Sequence, residues 1–429
     1  MPPSLTQFGT QMSKLTGVRA IMKDIIDTLG TTQGQSFINL SAGNPVILEP
    51  IAQLWRDCTA DLLSSPDYSE VVCRYGTSQG YQPLIEAIIQ EFNQRYNLHL
   101  NARQILITPG SQALYFLAAN AFGGYTTEEK LKKVVLPLSP DYTGYGGVSL
   151  TPASLLAYKP RIDLQDRKHR FKYRPDFDQL CFDSQTGCVI FSRPCNPTGN
   201  VLTDAEVRQI VNLAQPLNIP VFIDSAYGPP FPGLNYTEYQ PVFAPNVIHC
   251  MSLSKAGLPG ERVGIAIGDQ AIIQALEAFQ TNVCIHSGRY GQAIATRAIK
   301  SGALAQLSTT VIRPYYQAKL NILETALEQY FPDNIPWFLH VGEGAIFGWL
   351  WFQNLPISDW DLYQKLKAAG VLVVPGSPFF PGLQQDWQHI HECIRISLTA
   401  TDAEIEEGIK TIAAILPKVY SSKESAKDR

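Results

Sequence analysis

The chain has 429 residues, 45% of them hydrophobic and 17% charged, with a formal net charge of −4. That balance predicts a globular protein with a large core and two domains, and it excludes a long disordered chain. A slightly acidic chain also argues against a nucleic-acid groove as the main surface.

The eight cysteines form no C-x-x-C pair and show no finger-like spacing with histidine, so no metal site is expected. Disulfide scaffolds of this length are unusual, which predicts reduced thiols and a cytoplasmic location. No apolar run reaches the ~18–20 residues that cross a bilayer. Residues 1–9 lack the basic-then-apolar order of a signal peptide.

From about residue 50 to 300, short apolar runs alternate with helix-like stretches. Residues 105–108 lead through Pro109-Gly110 into 111–117, which reads as a strand, a turn and a helix. Residues 134–138, 188–192, 221–224, 247–253 and 263–267 read as further strands. Each is apolar along nearly its whole length, as when helices cover both faces of a sheet. Helices are expected at 205–215 and 271–280. The alternation predicts an α/β layered domain over 50–300. Residues 307–329 predict a long connecting helix with a kink at Pro314. Strands at 344–351 and 393–398 and a helix at 402–416 predict a smaller α+β domain, built from 301–420 together with 1–49. The polar segment 421–429 is expected to be a disordered tail.

The chemistry centres on Lys255, in Ser252-Leu253-Ser254-Lys255-Ala256-Gly257, directly after a predicted buried strand. A lone lysine at a helix start is usually just exposed. This one falls at the carboxyl end of a sheet, where α/β folds bind ligands, and desolvation there frees its amine for attack. Such an amine can hold the aldehyde of pyridoxal phosphate (PLP), which also needs a carboxylate under its ring nitrogen and donors around its phosphate. Asp224 ends another strand. Alone it reads as a turn cap; beside Lys255 it reads as the ring-nitrogen partner, with Tyr227 as a donor to the ring oxygen.

Asn196, between Pro194 and Pro197, is either part of an ordinary Asn-Pro turn or an amide donor to the same oxygen, and Pro197 leaves a cis bond open. Ser111 and Gln112 open a helix whose N-terminus suits a phosphate, with Ser252 and Arg262 as further donors. Tyr142 reads as core packing or as a ring stacked on the cofactor. Arg395, between Ile394 and Ile396, is either paired on a half-exposed strand or a two-pronged clamp for a substrate carboxylate.

Taken together, Tyr75-Gly76, Gly110-Ser111-Gln112, Asn196-Pro197-Thr198-Gly199, Asp224-Ser225-Ala226-Tyr227, Ser252-Leu253-Ser254-Lys255 and Arg395 resemble the fold-type I PLP-dependent aminotransferases. More narrowly, Ser192-Arg193-Pro194, Gly228-Pro229-Pro230-Phe231-Pro232-Gly233 and the segment around Lys255 resemble the valine–pyruvate aminotransferases. The resemblance covers nearly the whole chain. It implies a large domain with a mostly parallel seven-stranded sheet, and transamination between an aliphatic amino acid (valine or alanine) and a 2-oxo acid through Lys255. It also implies a homodimer in which Tyr75 reaches the neighbouring subunit's cofactor phosphate, and it places Gly43 near the substrate carboxylate. Neither nucleic acid nor membrane is an expected partner. Cys195 stands where the family motif has threonine, and Ser377-Pro378 replaces a His-Asn pair; both bear on amino-acid preference. A lyase or cyclopropane-forming synthase on the same fold, a different amino donor, and a non-catalytic PLP sensor are the alternatives.

Overall fold

The computed structural model describes residues 3–14, 17–31 and 37–427. Among them, the main sheet runs in the order Ile105–Thr108, Gly264–Ile267, Val247–Ser252, Val221–Asp224, Thr186–Ser192, Leu131–Leu136. Gly124–Tyr125 and Leu155–Ala157 pair along the outer edge of the last strand. The ladders from Val247–Ser252 across to Leu155–Ala157 are parallel, while Gly264–Ile267 is antiparallel to both its neighbours. Eight strands replace the seven implied by the resemblance because Gly124–Tyr125 adds an antiparallel edge of two residues, too short to leave a sequence pattern.

Neighbouring residues in these strands feed two different cores. Leu106, Ile190, Phe222, Ile248 and Ala266 pack on one face; Ile107, Phe191, Ile223, Val247 and Ile265 pack on the other. Side chains alternate across a strand, so a sheet covered on both sides must be apolar at every position. The helices follow local signals. Asp204–Ala214 begins at a capping box of Thr203 and Glu206, one residue earlier than expected.

A second sheet has the order Val374–Pro375, Cys393–Ser397, Phe347–Phe352, Trp337–His340, Arg170–Arg174, Arg161–Leu164. Its last two strands lie inside the 50–300 span, yet Arg170 pairs in parallel register with Leu339. No local pattern predicts a partner so far along the chain. Ile38–Asn39 pairs in parallel with Val371–Leu372, and Leu40 accepts a hydrogen bond from the Ser397 N–H. These contacts bring the segment after Asn39 alongside the strand that carries Arg395.

Pro314 lies inside a continuous helical run, Ala303–Leu307, a wide π turn over Ser308–Ile312, and Arg313–Tyr330. Proline removes an N–H and crowds the turn before it, and the widened π turn directly before Pro314 accommodates that irregularity. The last helix, Asp402–Lys427, runs past Pro417 and through most of the expected tail. Lys423, Glu424, Ala426 and Lys427 are good helix formers, so polarity there does not stop the helix. Residues 428–429 lie outside the described residues.

Candidate active site

Carboxyl ends of the main-sheet strands converge on one pocket, as expected for ligand sites in open α/β sheets. Val221–Asp224 ends in Asp224, and Val247–Ser252 ends in Ser252, followed by the short turn Ser254–Ala256 that carries Lys255. Thr186–Ser192 runs into the Asn196 loop, and Ile105–Thr108 turns at Gly110 into helix Ser111–Ala121. The pocket is a partly open cleft with a volume of about 170 Å³. Ser111, Gln112, Tyr142, Asn196, Asp224, Tyr227, Ser252, Lys255 and Arg262 all line it. Ser192, Ala226 and Ser254 complete the wall and were not singled out by the sequence.

Lys255 Nζ donates to the Gly43 carbonyl at 2.7 Å. Burial, with Arg395 and Arg262 nearby, pushes its amine down to about 8. Asp224 is 5% exposed. It accepts the Tyr145 hydroxyl at 2.8 Å and the Ala226 N–H at 2.9 Å. Burial raises its carboxyl while those bonds hold it down. A cation set against it would favour the charged form. Tyr145, which clamps Asp224, carried no recognisable spacing in the sequence.

Arg395 donates from Nη1 to Asn196 Oδ1 at 3.1 Å and from Nη2 to the Ser41 carbonyl at 3.0 Å, while its Nε has no partner among the described residues. Phe347 and Phe379 flank the guanidinium at 4.0 and 5.1 Å. Burial pushes Arg395 down to about 10. A buried guanidinium with an unused donor suits an incoming carboxylate. Neither Arg395 nor Gly43 lines the pocket directly, but hydrogen bonds tie each to a residue that does.

The Asn196-Pro197 bond is trans; the cis bond of this loop is Arg193-Pro194. Arg262 Nη1 donates to Ser254 Oγ at 3.1 Å, and Ser252 Oγ lies 3.0 Å from the same hydroxyl. The Arg262 guanidinium packs so closely on Gly110 that a side chain there would collide with it. Free N–H groups of the helix start, two hydroxyls and an arginine thus surround one cradle suited to a phosphate. Gln112 Oε1 is buried without a partner among the described residues. Tyr75 is 84% exposed, lies edge-on to the His286 ring, and is not brought to its own chain's pocket.

An amine, a buried carboxylate without a cation and an anion cradle share one pocket, which is the donor set PLP requires. The fold and the site thus define a PLP-dependent enzyme. The model of the class I and II aminotransferase family matches residues 36–412, and the chain belongs to that family. It is 37% identical over 414 residues to the valine–pyruvate aminotransferase of Escherichia coli (strain K12), covering 96% of this chain and 98% of the relative. Among solved structures, it is similar to a putative amino-acid aminotransferase of Psychrobacter arcticum 273-4, with TM-score 0.92, 37% identity, and 98% and 99% of the two chains covered. It is also similar to the valine–pyruvate aminotransferase AvtA of Salmonella typhimurium LT2, with TM-score 0.85, 36% identity, and 94% and 99% covered. The chain is therefore an aminotransferase that uses PLP. Among the described residues, no helix is long and apolar enough to cross a membrane.

Proposed function

We propose that this aminotransferase moves an amino group between an aliphatic L-amino acid, valine or alanine, and a 2-oxo acid, pyruvate or 2-oxoisovalerate. The observation that carries the reading is Arg395 held between Phe347 and Phe379 within reach of Asn196. It offers a carboxylate clamp bounded by apolar rings, which suits a substrate with an aliphatic side chain. The extended similarity to a valine–pyruvate aminotransferase supports the same choice.

PLP, when bound, supplies the electron sink that lets a bond to the substrate Cα break. The residues do the rest. Arg395 binds the α-carboxylate, with Gly43 beside it. Lys255, with its lowered basicity, would take the Cα proton and later give it up again, acting first as base and then as acid. Asp224 holds a proton at the ring nitrogen, and Tyr145 fixes Asp224. Asn196 and Tyr227 would donate to the cofactor's ring oxygen, and Tyr142 would pack against the ring. Ser111, Gln112, Ser252 and Arg262 take the phosphate, joined by Tyr75 from the neighbouring subunit of a homodimer. The site is complete only in that dimer, and the enzyme works in the cytoplasm.

A screen of amino donors against pyruvate tests the substrate choice. L-valine should give 2-oxoisovalerate, and a single turnover without an acceptor should release one equivalent per site. Turnover only with acidic or aromatic donors would overturn it.

A further inference from the structure

One buried carboxylate beside the pocket has no part in that scheme. Asp141 is 1% exposed, and its hydrogen bonds come from uncharged donors. Oδ1 accepts the Tyr142 N–H at 2.7 Å and the Ser192 hydroxyl, and the Cys195 sulfur lies 3.7 Å from both Oδ1 and the Pro140 carbonyl. Oδ2 accepts the Ser192 N–H at 3.0 Å. Its own N–H donates to the Phe379 carbonyl at 2.9 Å. Four segments therefore meet at one residue: the loop of Tyr142, the end of strand Thr186–Ser192, the start of the Asn196 loop, and the turn whose Phe379 ring covers Arg395. Ser192 also stands opposite Asp224 in the ladder.

We propose that Asp141 is a positioning residue for the reaction: its carboxylate fixes the Tyr142 ring, the Asn196 loop and the Phe379 wall relative to one another. The proposal rests on the aminotransferase reading of this pocket. A carboxylate fits the task because it only accepts, and the Tyr142 N–H, the Ser192 N–H and the Ser192 hydroxyl all point at it. An amide in its place turns an N–H₂ against one of those donors. Burying a carboxylate away from any cation is costly. Burial pushes Asp141 up to about 7, even though the bonds from Ser192 pull the other way. A group kept at that cost specifies geometry rather than adding stability.

The test compares wild-type and Asp141→Asn holoenzymes. The visible circular dichroism of bound PLP reports ring placement whichever amino acid proves to be the donor, so it separates this proposal from the substrate assignment. Asp141→Asn should keep one cofactor per chain, change that band by half or more, and lower kcat with L-valine and pyruvate about ten- to hundredfold, as misplacements near 1 Å do. An unchanged band overturns the proposal, whether or not kcat falls, and so does loss of the cofactor from a folded protein. If Asp141→Asn does not fold, Ser192→Ala decides. It removes the hydroxyl donor and leaves the N–H, so it should alter the band and lower kcat several-fold; a wild-type band and kcat overturn the proposal.

Discussion

In the proposed mechanism the chemistry turns on Lys255, and the environment of that side chain makes a numerical prediction. An ordinary lysine stays charged up to about pH 10.4; here burial, then Arg395 and Arg262, bring the amine down to about 8. Only the neutral amine attacks an aldehyde. The rate at which cofactor-free protein takes up PLP should therefore rise through about pH 8 and level off above it, followed by stopped-flow absorbance. A midpoint above 10 would contradict the burial described here. Lys255→Ala should bind PLP without the absorbance band of the lysine-linked form, and its turnover should fall by about 10²–10⁴ or more, the worth of a positioned base. Arg395→Lys keeps the charge but loses the fork. With hydrogen bonds to charged groups worth about 1.5–3 kcal/mol, kcat/KM for the amino acid should drop roughly ten- to hundredfold, measured by steady-state kinetics.

At the scale of elements, the proposed phosphate cradle is a property of one helix start and the loop packed on it. Gly110 has φ of 88°, and a side chain there would meet the Arg262 guanidinium. Gly110→Ala should thus raise the dissociation constant for PLP about tenfold or more, read by equilibrium titration, because it strains the turn and displaces a phosphate donor together. Wild-type affinity would show that the helix start does not hold the phosphate. Such turns were readable in the sequence because strand, glycine and helix start are contiguous there. The Phe347 and Phe379 walls were not, since Phe347 meets Arg395 from a strand of the second sheet and Phe379 from the turn Ser377–Phe379.

For the whole molecule, the exposed Tyr75 gives a test of the proposed dimer. If each site uses its own Lys255 and the neighbour's Tyr75, a Lys255→Ala chain mixed with a Tyr75→Ala chain forms heterodimers with one intact site. Activity should reappear on mixing the two impaired variants, after denaturation and refolding together. No recovery would place Tyr75 outside the neighbour's site. Tertiary assembly also moved pieces that the sequence had grouped differently. The hairpin Arg161–Leu164 and Arg170–Arg174 left the 50–300 span for the second sheet, held partly by Lys172, which donates to both Glu343 oxygens at 2.7 and 2.6 Å.

By itself, the sequence determined the alternating strands of the main sheet and the lysine, aspartate, asparagine and arginine that mark the pocket. These signals are local: a strand buried on both faces is apolar throughout, and Lys255 and Asp224 each follow their strand directly. Only the tertiary structure decided that Tyr145 clamps Asp224, that Asp141 gathers four segments, and that Ser41 and Gly43 reach Arg395 and Lys255 from the far end of the chain. Those contacts join residues tens to hundreds of positions apart, and no spacing rule connects such residues until the chain has folded around them.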